Sequence, residues 1–217
     1  MSELRETSQP FLLERINLPQ GQLVLRQPLP KDLAPNFKEL LISENPWYQE
    51  GEMLSRRTRE VKRFNIAGTD IVIKKAVKTG QDLAAMPKQS TSLAQYTRAE
   101  IRANTPTAQM IIIDKAVKKY KEAYGENLPI EQMFGFYIDK ASTQKYMIFK
   151  GYESTESPDI YSPEGVAILD LVNQIGQKLR GLGFYLGDGP QYLVIKDPQT
   201  ETGLNIVLID TERWAID

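Results

Sequence analysis

The strand-like runs of this chain come in consecutive pairs, and that constrains its fold more than any other feature. FLLERINLPQGQLVLRQP (residues 11–28) reads as two short strands around Pro19-Gln20-Gly21. REVKRFNIAGTDIVIKKAVK (59–78) sets β-branched residues on both sides of Ala67-Gly68-Thr69-Asp70, a hairpin turn. PIEQMFGFYID (129–139) and KYMIFKGYE (145–153) flank turn residues 140–144, and QYLVIKD (191–197) and LNIVLID (204–210) flank PQTETG. Strands joined by short turns pair antiparallel, because a parallel pair needs a crossover of a dozen residues or more. Helical signals fall between the pairs. SLAQYTRAEIRA (92–103) is a first helix; Asn104-Thr105-Pro106 breaks it and starts a second, which runs to about Tyr124 and is stopped by Gly125. Ser162-Pro163 caps a third, which ends near Gly181 to Gly183. A short apolar helix, NFKELLIS, lies among Pro30, Pro35 and Pro46. This order predicts an α+β protein with antiparallel sheets rather than alternating βαβ units.

Composition narrows the chemistry. The 217 residues contain no cysteine and no histidine. Disulfides, thiolate nucleophiles and zinc fingers are thereby excluded, as are the commonest general base and the commonest transition-metal ligand. What remains is Asp, Glu, Lys, Arg, Ser, Thr and Tyr, the groups that handle Mg²⁺ and phosphate. The net charge of −1 gives no whole-chain field for nucleic acid or an anionic membrane. No stretch approaches the ~20 apolar residues of a membrane span. The polar start, MSELRETSQP, lacks the apolar core of a signal peptide. The expectation is a cytoplasmic protein that binds neither nucleic acid nor membrane.

Three charged residues stand where strands or helices give out. Ile71-Val72-Ile73 runs into Lys74; GFYLGD puts Asp188 on a loop after the third helix; Ile206 to Ile209 runs into Asp210. Side chains alternate along a strand, so Lys74 shares a face with Val72 and Ala76, and Lys75 with Ile71 and Ile73. Parity alone does not say which face lines a cleft. On its own, Asp210 also reads as a turn residue working with Thr211.

Taken in order, these pieces resemble the protein-kinase-like superfamily. IVIK resembles the V-A-I-K strand, GLGFYLGD the loop that carries an orienting aspartate, LIDTERW the magnesium-binding stretch of small-molecule kinases, and KYMIFKGYE the strand into the hinge. The resemblance covers roughly residues 50–214. It implies a two-lobed fold with an antiparallel N-lobe sheet: an extension over 1–49, an N-lobe over 50–152 with its hinge near Lys150–Glu153, and a reduced C-lobe over 153–217. It implies ATP and Mg²⁺ as cofactors and a nucleotide as ligand. Lys74 would contact the phosphates, and Lys150 and Glu153 would edge the nucleotide site. Asp210, with Gln191, would hold the metal, and Asp188 would orient the acceptor. The lysine's carboxylate partner would be Glu100, in helical step with Leu93, Tyr96 and Thr97, or Asp114, in step with Met110, Ile113 and Val117; Glu100 is preferred.

Several positions depart from the family pattern. Leu186 and Gly187 stand where it has histidine and arginine, and Leu193 where it has asparagine. In place of a glycine-rich loop lies EGEMLSRRTREV, with Gly51 and Ser55, and Arg56, Arg57 and Arg59 as alternative phosphate contacts or a solvated basic run. Seven residues follow Asp210. The expected activity is transfer of the ATP γ-phosphoryl group to a hydroxyl of a protein or small molecule, by a minimal kinase without the large helical substrate lobe. A catalytically inactive pseudokinase, or a protein-interaction module on the same fold, is the alternative. Either would have a protein partner or a protein substrate.

Overall fold

Seven strands pair antiparallel into one sheet, in the order β1-β2-β6-β7-β5-β4-β3. They are β1 (Leu12–Leu18), β2 (Gly21–Gln27), β3 (Glu52–Ser55), β4 (Val61–Ile66), β5 (Thr69–Lys75), β6 (Met133–Asp139) and β7 (Lys145–Lys150). The computed structural model describes residues 12–55, 60–76, 106–186, 189–211 and 214–216. The helix expected over 92–103, with Glu100 on it, lies outside them, as do Arg56, Arg57, Arg59, Asp188 and the side chain of Ser55.

The hairpins read from the sequence are present, and the sheet joins them through two pairings between distant segments. β5 pairs with β7, setting Lys74 opposite Met147. β2 pairs with β6, so the N-terminal hairpin extends the sheet. α1 (Phe37–Glu44) and the 3₁₀ turn Pro46–Tyr48 then cover one face. Phe37, Leu41 and Trp47 pack there on Ile71, Ile73, Phe134 and Tyr137. Trp47 stacks on Tyr137 with centroids 4.2 Å apart. The N-terminal segment therefore supplies the apolar cover for this face, a role the sequence left unassigned.

The other face receives α2 (Pro106–Tyr124). Its sequence carries two apolar stripes. Met110 and Ile113 meet Met133, Phe136, Met147 and Phe149 on the sheet. Ile112, Ala116 and Tyr120, at i, i+4 and i+8, face a second core with Ile168, Val172, Ile175 and Leu179 of α3 (Pro163–Gly181). One helix thus joins the two cores. α2 stops because Gly125 takes the left-handed conformation, φ 73°, and its N–H returns to the carbonyl of Lys121. α3 starts at Ser162, whose hydroxyl accepts the N–H of Gly165 at 3.0 Å, with Pro163 in the first turn.

Beyond β7 the chain leaves the sheet through residues 151–153. Ser154 then bridges Ile195 on β9 (Gln191–Lys196), the partner of β10 (Leu204–Ile209) in an antiparallel pair. β8 (Phe184–Tyr185) pairs with β11 (Ala215–Ile216). The α+β class and the antiparallel sheet are as expected. Among the described residues there are three α-helices, and no helix is long and apolar enough to cross a membrane.

Candidate functional site

The two lysines that end β5 have opposite fates. Lys75 points to the covered side of the sheet and is half-exposed, 4.0 Å from Glu60. Lys74 points the other way, with Val72, and is only 5% exposed. A buried ammonium requires compensation, and Lys74 has it. Its Nζ lies 2.6 Å from Glu131 Oε2 and 3.3 Å from Asp210 Oδ1. It also sits 4.5 Å from the centroid of the Phe149 ring, a favourable cation–π position. The parity left open by the sequence is settled by which face received the apolar cover.

Glu131 belongs to the segment between α2 and β6. That segment is tied to β10: Leu208 N–H donates to the Pro129 carbonyl and Glu131 N–H to the Leu208 carbonyl, both at 2.8 Å. The side chain, 2% exposed, divides its two oxygens. Oε2 takes Lys74; Oε1 accepts the backbone N–H of Thr211 at 3.1 Å and the Thr211 hydroxyl at 2.8 Å. Thr211 Oγ1 accepts in turn from Gln109 Nε2 of α2 at 2.9 Å. A buried chain therefore runs Gln109–Thr211–Glu131–Lys74 and ends at Asp210.

Lys74, Glu131 and Asp210 line a cavity of about 380 Å³. Leu54, Val61, Val72 and Phe149 of the large sheet wall it on one side, and Leu193 and Ile209 of the β9–β10 pair on the other. Lys150, Tyr152 and Ser154 close one end. Burial pushes the Tyr152 hydroxyl up to about 12, with the charge of Glu131 adding to it, so it is a neutral donor at physiological pH. Thr155 N–H donates to the Val194 carbonyl at 2.9 Å beside the Ser154–Ile195 bridge, tying this end to β9. The arrangement is an apolar slot with Lys150, Tyr152 and Ser154 at one end and a cation flanked by carboxylates at the other.

The sequence-derived residues divide as follows. Lys74, Asp210 and Lys150 meet at the cavity; Lys150 also pairs with Asp32 at 2.6 Å. Gln191 stands opposite Ile209 in the β9–β10 register, on the same strand face as Leu193, but it is exposed and outside the cavity lining. Glu153 is exposed and outside the lining. Gly51 also lies outside it; a side chain there would collide with Phe64 and the carbonyl of Arg63, so close strand packing explains this glycine. Asp114 is not beside Lys74: it pairs with Arg26 of β2 at 2.6 Å, and burial raises its carboxyl despite that cation. The Ser55 side chain, Glu100 and Asp188 lie outside the described residues. The ends of β3 and β4 that flank Ser55 and residues 56–59, namely Leu54 and Val61, line the cavity.

Glu131 and Gln109 do not stand out in the sequence, and Thr211 does so only as a turn partner of Asp210. The available signal was Glu131 itself, a carboxylate at the head of the apolar run PIEQMFGFYID, where a buried position demands a cation.

Among the described residues no three Asp or Glu side chains cluster as an all-protein metal cage. Asp210 is a carboxylate at the cavity wall, and Mg²⁺ is commonly held by one or two carboxylates together with substrate phosphates. No protein-family model matches the chain, and no curated protein matches it.

Proposed function

We propose that the cavity beside Lys74 is the site of a nucleoside triphosphate with Mg²⁺, in a two-lobed kinase-like fold, and that the protein transfers the γ-phosphoryl group to a hydroxyl. One observation carries the reading: a buried lysine shared between a buried glutamate and a strand-end aspartate, at the polar end of an apolar slot. A base would lie between Val61 and Val72 on one side and Leu193 and Ile209 on the other, with its edge toward Tyr152 and Ser154. Lys74 would neutralise phosphate charge and Glu131 hold that ammonium in place. Asp210 would hold the metal, which supplies further charge neutralisation on the phosphates. Phosphoryl transfer depends chiefly on such positioning and charge compensation, so the absence of histidine is no obstacle. The large sheet with α1 and α2 forms the first lobe in this reading, and α3 with β8–β11 the second, joined through residues 151–153.

Asp188 would orient the acceptor hydroxyl. Leu186, Gly187 and Leu193, where the family pattern has histidine, arginine and asparagine, favour the second reading, a nucleotide-binding pseudokinase that engages a protein partner. Incubation with γ-labelled ATP and Mg²⁺, alone and with fractionated cell extract, separates the two. Transfer of label that falls about 10²-fold in Asp188→Ala supports the enzyme, the scale expected for losing a positioned acid–base or orienting group. Nucleotide binding without transfer leaves the pseudokinase, and the absence of both removes the nucleotide reading.

A further inference from the structure

The nucleotide reading accounts for Lys74, Glu131 and Asp210, but not for the buried chain that continues past them to α2. Asp210 adopts a left-handed backbone conformation, φ 57°, which is uncommon outside glycine and persists where neighbours over-determine it. The peptide that follows Asp210 is the one whose N–H donates to Glu131 Oε1. Thr211 adds a second bond to the same oxygen through its hydroxyl. The direction of that bond is fixed by chemistry. The carboxylate only accepts and the Gln109 amide nitrogen only donates, so the hydroxyl accepts from Gln109 and donates to Glu131. Gln109 and Thr211 are both fully buried. One carboxylate thus sets the Lys74 ammonium with one oxygen and the backbone of Asp210 with the other.

We infer that Thr211 is a positioning residue for cation binding at Asp210: its hydroxyl, locked between Gln109 and Glu131, holds the Asp210 carboxylate where a phosphate-bound divalent cation meets it. This rests on the nucleotide reading and extends it to a residue that touches neither nucleotide nor metal. It also ties the metal end of the site to α2, because Gln109 lies on the same helix as Met110 and Ile113, which pack under the sheet.

The test is the Mg²⁺ concentration that gives half-maximal ATP binding, measured by titrating MgCl₂ at fixed ATP, beside ATP affinity in EDTA. Thr211→Val keeps the shape and removes the hydroxyl; Thr211→Ala serves the same purpose without overpacking if the valine variant does not fold. Either is expected to raise the Mg²⁺ requirement about 10-fold or more, the scale found for groups that orient metal ligands. ATP affinity in EDTA stays near wild type, since Lys74 keeps Glu131. Thr211→Ser retains the hydroxyl and restores the wild-type Mg²⁺ requirement. A purely structural threonine would give lower melting temperatures with an unchanged Mg²⁺ midpoint, and that result overturns the inference while leaving the nucleotide reading intact. A wild-type protein with no Mg²⁺-dependent ATP binding removes both.

Discussion

β6 has a buried carboxylate near each end, Glu131 just before its start and Asp139 at its last residue, and the two are satisfied in opposite ways. Asp139 accepts from the backbone N–H and the hydroxyl of Ser142, both at 2.6 Å, and from the Tyr48 hydroxyl. Two of these partners are three residues away and all are neutral. They suffice to hold its carboxyl down at about 2, the Ser142 hydroxyl contributing most and Tyr48 next. Glu131 instead draws Lys74 from 57 residues before it and Thr211 from 80 after it. The adjacent spaces differ as well. Asp139 borders an open groove of about 920 Å³, lined also by Pro19, Gln20, Tyr48 and Lys140. Glu131 borders the smaller slot of about 380 Å³. Volume alone would favour the Asp139 end of the strand. A carboxylate satisfied by its own turn stabilises that turn. One that orders a buried cation beside a second carboxylate, at the wall of a cavity, creates a charged site the fold itself does not need.

The largest expected effect comes from breaking the long-range cluster. Lys74→Met leaves Glu131 buried without its cation, at a cost of about 3–5 kcal/mol. Adding Glu131→Met should recover much of that stability, because an apolar pair of similar volume replaces a buried ion pair with little loss. Lys75→Met, one residue along on the other face, should change stability by less than about 0.5 kcal/mol, as an exposed position does. Urea unfolding of the four proteins checks the contrast; equal losses at positions 74 and 75 would erase it.

The sequence made these two ends of β6 unequally legible. Hairpins, helix stops and the ends of β5 and β10 could be read because they rest on local patterns: alternation, Gly125 in the left-handed cap, Ser162-Pro163 at a helix start. Lys74 and Asp210 were visible as charged residues terminating apolar runs. Their link through Glu131 was not, because it depends on which strands pair across long separations. The kinase resemblance implies a helical carboxylate, Glu100 or Asp114, as the lysine's partner. Asp114 is instead taken by Arg26, which comes within reach only because β2 pairs with β6. The N-terminal segment could be read as a hairpin and a short helix, yet its task of covering Ile71 and Ile73, which turns Lys74 toward the cavity, followed only from that same pairing.

A smaller effect is expected at the local end. Asp139→Asn removes a charged acceptor, at a cost of about 1–2 kcal/mol near neutral pH, at the lower edge of the range for hydrogen bonds to charged groups. The folded-state value lies below that of an ordinary carboxylate, so the stabilisation is full above about pH 4 and fades as pH falls through about 2. Melting temperatures of wild type and variant should therefore converge on acidification over that window. A gap that persists at pH 2 would mean the charge of Asp139 is not what holds the turn.

The central claim is that the slot beside Lys74, and not the larger groove beside Asp139, binds nucleotide with Mg²⁺. A thermal-shift titration with ATP, with and without Mg²⁺, tests it most directly. A ligand that binds only the native state at 100 times its Kd adds about 2.7 kcal/mol. For a chain of this size that corresponds to a rise of roughly 5–10 °C. The account predicts that rise for wild type with Mg²⁺, a smaller one in EDTA, and loss of the Mg²⁺-dependent part in Asp210→Ala, with Asp139→Asn shifting like wild type. No shift in wild type, or a shift abolished by Asp139→Asn and retained by Asp210→Ala, would contradict it.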